Sequence, residues 1–307
     1  MSLLSEHIIN PKNLNNLLAK LIENNASEKE LQWLDSQNIK DNKALQKTFV
    51  LIPRFISKKE VEIVFEKSVT TKPKYGMPKI TVANRNTDSI ESERRPHQTW
   101  TLDRVVRVLL LTNVQNKSEE EYCQTIETLF ETAEINEAVA LYTALPYLQY
   151  PEKWLYRATE AVRSNMGSVF DAIAFQNPYP AKYFSEAAWN QLILKCIFND
   201  KPIHFITGLE ERANQNLANI LSDFAHERWA AHRTIPPQVW RLVSKFITPT
   251  ILEDISKLFD SENIQNQQAA VLVCQESDSS EAKNLLIIKQ EQLAFDIDKL
   301  TWVDLEG

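Results

Sequence analysis

The chain has 307 residues, 43% of them hydrophobic and 24% charged, with a formal net charge of −7. That length can bury a sizeable core, as one large helical array or as two domains, and the composition is that of an ordinary soluble globular protein. The acidic balance argues against nucleic acid as a partner, because phosphate contacts want a basic surface; the pair Arg94 and Arg95 is offset by Glu91 and Glu93.

Glycine occurs only four times, at Gly76, Gly167, Gly208 and Gly307. Phosphate-cradling loops, tight hairpins and βα turns use glycine for its positive φ, so no P-loop or dinucleotide fingerprint can be assembled and a Rossmann or barrel enzyme is disfavoured. Cys123, Cys196 and Cys274 are far apart and set in apolar surroundings, which reads as small core residues in a reducing compartment. The opening MSLLSEHIINPK lacks the basic start and apolar run of a signal peptide, and nowhere do about 18 apolar residues follow one another. No membrane span is expected, and the expected location is cytoplasmic.

Along the chain, five pairs have a capping residue followed three positions later by Glu: Ser27 and Glu30, Ser57 and Glu60, Ser118 and Glu121, Thr250 and Glu253, Asp278 and Glu281. Such boxes satisfy backbone N–H groups that a helix start leaves orphaned, and five of them followed by helix-period apolar residues predict an all-α protein. Residues 1–67 read as short N-terminal helices, carried by Leu14, Leu17, Leu18 and Leu21, then Leu31 and Leu34, then Phe49 and Ile52. Residues 68–98, with Pro73, Gly76, Pro78 and Pro96, read as a loop or linker, or as a lid over a neighbouring site. Residues 99–307 read as one continuous helical unit of antiparallel pairs, 99–112 with 118–133 and 136–147 with 151–166, followed by three helices over 249–290. Helix pairs in series suggest a HEAT/armadillo-like α-solenoid. Pro236 and Pro237 open a further helix at Gln238.

The candidate functional groups cluster between Pro151 and Arg241, where polar side chains are set among aromatics and alanines. At 100° per residue on a helix from Leu209 to Arg233, Leu217, Ile220, Leu221, Phe224 and Ala231 share a face, and Arg228 falls in its middle. A guanidinium there needs a carboxylate, with Glu160 or Asp171 as candidates, either to pin two helices or to clamp an anion. Arg212, Asn219, Asp223 and His226 form the opposite, polar arc, with Glu227 at its border; Asp223 lies one turn from His226 and could orient the imidazole as a general base. The string HERWAAH lacks zinc-motif geometry, since position 230 is Ala and His232 lies about 120° round the helix from His226, so no metal is expected. On an almost wholly apolar helix over 184–198, the Asn190 amide must find partners, and Lys195 is a buried amine or a snorkelling surface lysine. AsnProTyrPro at 177–180 is a rigid break that fixes Asn177 and Tyr179 as a pocket wall or a tight corner, and Gly167 marks a close approach of two helices. Arg163, Asn165 and Asp171 complete the set of binding candidates.

AlaThrGluAlaValArgSerAsnMet at 158–166, AspAlaIleAla at 171–174, AsnProTyrProAla at 177–181, AlaTrpAsnGln at 188–191, GluArgAlaAsn at 211–214 and AspPheAlaHisGluArgTrpAlaAla at 223–231 resemble, in order and spacing, the EboA family. The resemblance covers about a third of the chain densely. It implies an all-α bacterial protein whose gene accompanies those for a prenyltransferase-like membrane protein, a sugar-phosphate cyclase-like enzyme and metal-dependent hydrolases, with a role in making or moving a secondary metabolite towards the periplasm. It supplies no catalytic residue and no cofactor. The expected function is a non-catalytic binding or escort protein for a prenylated or terpenoid-like precursor, partnered by other proteins of the cluster and by a small-molecule metabolite. An enzyme using Asp223, His226, Lys195 and Arg228 on a prenylated or phosphorylated molecule is the alternative, weakened by the absence of paired aspartate-rich motifs for magnesium-diphosphate chemistry. A third reading is a scaffold that presents a helical surface to partner proteins.

Overall fold

The structure, a computed structural model, describes residues 11–39, 41–66, 79–81, 97–115 and 118–306. They are predominantly helical and group into two compact units, Met1–Ser185 and Glu186–Gly307.

The first unit runs α1 (Pro11–Asn25), α2 (Glu28–Asp35), α3 (Asn42–Phe55), β1 (Glu60–Glu66), β2 (Lys79–Thr81), β3 (His97–Thr101), α4 (Leu102–Thr112), α5 (Glu119–Thr132), α6 (Ile135–Ala144), α7 (Leu155–Arg163), α8 (Gly167–Ala174) and α9 (Pro178–Tyr183). One of the expected capping boxes forms in full: Ser27 accepts from the Glu30 N–H while the Glu30 carboxylate accepts from the Ser27 N–H at 2.6 Å; Ser118 caps α5 from one side, accepting from the Glu121 N–H at 3.2 Å. Ser57 starts no helix. Its N–H donates instead to Glu30 Oε1 at 2.7 Å, and the chain enters β1. The period-2 pattern GluValGluIle explains why, since Val61 and Ile63 are buried and Glu60 and Glu62 face out. Helical counting overlooked that alternation. β1 is the centre of an antiparallel sheet of order β2-β1-β3, with Val61 opposite Trp100. A small sheet is therefore added to the helical fold. Of the expected loop over 68–98, residues 79–81 and 97–98 are strand; the rest lies outside the described residues.

The core of this unit gathers on α4, where Leu102, Val105, Val106, Val108 and Leu111 are fully buried and pack against α1, α3 and α6. The same helix buries a charged pair. Arg107 Nη1 donates to Asp103 Oδ2 at 2.7 Å, one turn back, and the guanidinium lies 5.5 Å from the Phe49 ring centre. Gly167 begins α8, and a Cβ built there would meet nothing within 4 Å. The expected close approach of two helices at Gly167 is thus corrected: the position is open.

The second unit comprises α10 (Glu186–Phe198), α11 (Gln215–Ala230), α12 (Pro249–Phe259), α13 (Ile264–Glu276) and α14 (Ser280–Lys289), with 3-10 turns at Pro237–Leu242 and Trp302–Leu305 among others. Thr248, not Thr250, caps α12, which lets Pro249 take the first-turn position where its missing N–H costs nothing. Ser279, not Asp278, caps α14.

Helices end here without glycine. After α10 the Asp200 N–H bonds the Ile197 carbonyl and the Lys201 N–H the Cys196 carbonyl, with Asp200 at φ 50°. After α11 the His232 and Arg233 N–H groups bond the carbonyls of Trp229 and Arg228, with His232 at φ 53°. Both are Schellman closures, whose left-handed position glycine usually fills.

Candidate functional site

The sequence-derived candidates fall in both units. In the first, Arg163 ends α7 and pairs with Glu160 at 2.9 Å on the surface; Asn165 is exposed in the following link, and Asp171 is half-buried on α8. Asn177, the cap of α9, and Tyr179, in its first turn, are buried. The Asn177 amide donates to the carbonyls of Tyr142 and Ala172 at 3.0 and 2.9 Å, and its oxygen accepts from the Tyr179 N–H at 3.0 Å. Tyr179 Oη donates to the Pro151 carbonyl, and burial pushes the phenol's pKa up. All three Asn177 bonds and the Tyr179 phenol serve the corner itself.

In the second unit Asn190 finds its partner in Asn214. The two amides exchange hydrogen bonds at 3.2 and 2.8 Å, and Asn214 Oδ1 caps α11 by accepting from the Leu217 N–H at 2.9 Å. Arg212 lies 5.0 Å from the Trp189 ring centre. Lys195 is half-buried on α10, and burial lowers its pKa.

α11 is rotated from the expected placement. Its buried residues are Leu217, Ala218, Leu221, Ser222 and Ala225, while Ile220 and Phe224 sit at the border and Ala231 is exposed. Leu217 and Leu221 share the inner face with the small side chains of Ala218, Ser222 and Ala225. Two pairings are corrected as a result. Arg228 lies at the edge, and in place of the expected carboxylate its head meets a backbone carbonyl and a ring: Nε donates to the Thr234 carbonyl at 2.7 Å and the guanidinium lies 5.6 Å from the Phe224 ring centre. Asp223 and Glu227 are exposed, and the carboxylate that holds His226 is Asp254.

Asp254 lies on α12 with 0% exposure. Oδ1 meets His226 Nε2 at 2.6 Å and accepts from Lys257 Nζ at 3.3 Å; Oδ2 accepts from the buried Ser222 hydroxyl at 2.6 Å. A carboxylate removed from water is stable only when its lone pairs are met this fully. With Nε2–H given to Asp254, the imidazole's other nitrogen is an acceptor in the neutral ring and a donor in the cation. The His226 and Lys257 side chains are 40% and 57% exposed, so both remain open to a ligand while a buried carboxylate fixes them. Lys257 Nζ also lies 5.3 Å from the centre of the Trp229 ring, which stacks on Trp240. His226, Trp229 and Lys257 line a groove of about 510 Å³ completed by Leu258, Ser261 and Asn266. It offers a cationic and aromatic wall with an apolar floor, suited to an anionic or polar head on a flat or apolar body.

Asp254 was readable in the sequence. It shares the helical stripe of Ile251, Ile255 and Leu258, and a lone carboxylate on a buried stripe requires a donor. Lys257 carries no such signal, because a lysine near a helix end is ordinary. Among the described residues no group of three or more His, Cys, Asp or Glu side chains is placed to hold a metal ion, and no helix is long and apolar enough to cross a membrane.

The family model described as "Metabolite traffic protein EboA" matches residues 14–244. The match takes in His226, Trp229 and Ser222 and stops short of Asp254 and Lys257. No curated protein and no solved structure matches the chain.

Proposed function

The chain belongs to the EboA family, and from that membership we propose that it is a non-catalytic binding or escort protein of bacterial secondary-metabolite traffic, acting in the cytoplasm. Its cargo is a prenylated or terpenoid-like precursor bound for the periplasm, held in the groove between α11, α12 and α13 and passed to a prenyltransferase-like membrane protein of the same gene cluster. One observation carries this reading: a wholly buried Asp254 holds His226 at 2.6 Å and Lys257 at 3.3 Å against Trp229, on the wall of a groove large enough for a small molecule. Lys257 and His226 take the polar or anionic head, and Trp229 and Leu258 take the apolar body. Side-by-side packing of α12 with α13 and of α13 with α14 supports a solenoid-like stacking within this unit.

Mass spectrometry of the protein purified natively from its own host tests the reading. A retained small molecule is expected, and Trp229→Ala and Lys257→Ala should each lower its occupancy about tenfold while leaving the circular dichroism unchanged. Equal occupancy in folded variants would remove the groove from the argument.

The Asp254–His226 contact favours a second reading, in which His226 moves a proton on the bound molecule. Asp223 is exposed and Arg228 is engaged with the Thr234 carbonyl, so this reading rests on Asp254 in place of the expected quartet. It predicts that His226→Asn retains the cargo but abolishes any isotope exchange from water into it.

A further inference from the structure

The wall of the His226 groove sets one carboxylate against two basic heads. Asp254 Oδ1 meets His226 at 2.6 Å and Lys257 at 3.3 Å, while Oδ2 is taken by the Ser222 hydroxyl. Asp254 and Lys257 cancel, so protonating His226 leaves one positive charge on the wall. Among the described residues the rest of the lining adds no charge, since Trp229, Leu258, Ser261 and Asn266 are all neutral. The 3-10 turn Pro237–Leu242 brings Trp240 onto Trp229, and its one charged residue, Arg241, pairs with Glu210 and Glu306. Asp223 and Glu227 on α11 and Glu253 on α12 are exposed. Of the carboxylates flanking Ser261, Asp260 pairs with Lys289 and Glu262 is exposed.

The hydrogen-bond capacities of the lining point the same way. The Ser261 hydroxyl accepts from the Asn263 N–H at 3.2 Å and from Asn266 Nδ2 at 3.0 Å, which fills both lone pairs and leaves its proton to be given. Lys257 gives Asp254 one of its three N–H groups. His226 is the deciding group. A neutral imidazole has one donor, and the contact with a wholly buried carboxylate claims it at Nε2. Nδ1 then carries a lone pair, which repels an oxyanion. Only the imidazolium can donate to Asp254 and to a ligand oxygen at once.

We infer that this groove takes a singly charged oxyanion on an apolar body and that His226 gains a proton as the ligand enters. This rests on the groove being the cargo site and narrows the cargo's head to a carboxylate, sulfonate or phosphodiester. A diphosphate would set several negative charges against a single positive one. Trp229, stacked on Trp240, supplies the flat apolar face. Because the bound anion favours the imidazolium, binding is strongest at low pH and weakens as pH rises through the range in which imidazoles lose their charge.

Two fluorescent probes with the same rings test this on the full chain: 8-anilinonaphthalene-1-sulfonate, a permanent monoanion, and the uncharged N-phenyl-1-naphthylamine. The sulfonate should bind about tenfold more weakly at pH 8 than at pH 6, while the uncharged probe should change by less than about twofold. Calorimetry of the unaltered chain in buffers of different ionisation enthalpy should show proton uptake with the sulfonate and none with the uncharged probe. His226→Asn should hold the sulfonate at its weak pH 8 affinity throughout. Ser261→Ala should weaken the sulfonate about fivefold and keep the pH slope. Trp229→Ala should weaken both probes. Sulfonate binding that Trp229→Ala weakens, yet that takes up no proton or keeps its pH slope in His226→Asn, would overturn the inference and leave the groove as the cargo site. Indifference of both probes to Trp229→Ala would overturn the groove reading together with it.

Discussion

Replacing Asp254 with alanine removes the one buried group on which three side chains depend. The cost can be worked from the geometry. Ser222 is 3% exposed and gives its hydroxyl proton to Asp254 at 2.6 Å, so its loss strands a buried donor, worth about 1–3 kcal/mol. His226 and Lys257 keep 40% and 57% exposure, so water replaces part of what they lose and together they add about 1 kcal/mol. The expected destabilisation is about 2–4 kcal/mol, read as a lower guanidinium midpoint at unchanged slope. Adding Ser222→Ala to Asp254→Ala should recover about 1 kcal/mol or more, because removing both partners leaves no stranded donor. An alanine variant within about 0.5 kcal/mol of the parent, or a double variant less stable than the single one by the full cost of Ser222→Ala alone, would refute the claim that the carboxylate is held by these donors.

In the first unit, Asp103→Ala should cost about 3–5 kcal/mol by leaving the buried Arg107 without its 2.7 Å partner, whereas Asp103→Leu with Arg107→Met should cost far less; chemical denaturation compares them. Burial raises the pKa of Glu30, but hydrogen bonds from Ser27 and Ser57 outweigh it and hold the carboxyl at about 2, below the usual 4.5. A depressed carboxyl stabilises the fold above its unfolded pKa and loses that contribution as pH falls, so Glu30→Gln should destabilise at pH 7 and become neutral as the pH drops from 4.5 towards about 2. Burial pushes the Cys274 thiol up to about 12, so at pH 8 a disulfide reagent should label it only after unfolding, while the half-exposed Cys123 reacts in the native protein.

The helices were legible where their signals are local. Ser27, Ser118 and the apolar stripes of α4 and α12 state their structure within one or two turns. β1 was missed because Ser57 and Glu60 satisfy the spacing of a capping box while Val61 and Ile63 satisfy that of a strand, and only the pairing with His97–Thr101 decides between them. The site was half legible. His226 and Trp229 stood out within one motif, but the rotation of α11 is set by Ala218, Ser222 and Ala225, whose small size matters only against a neighbouring helix. Asp254 lies 28 residues beyond His226, and that separation is what a search for partners one turn away passes over.

The closures after α10 and α11 have a bearing on how this protein tolerates change. Where most chains station a residue with no side chain, this one stations Asp200 and His232, which endure the left-handed backbone at a cost of about 1 kcal/mol each. Bends are commonly where evolution experiments freely, yet here a β-branched replacement would be punished at the bends and forgiven on the outward helical faces. A saturation library should therefore show its intolerant positions outside the core as well, in narrow spikes at the points where one helix hands the chain to the next.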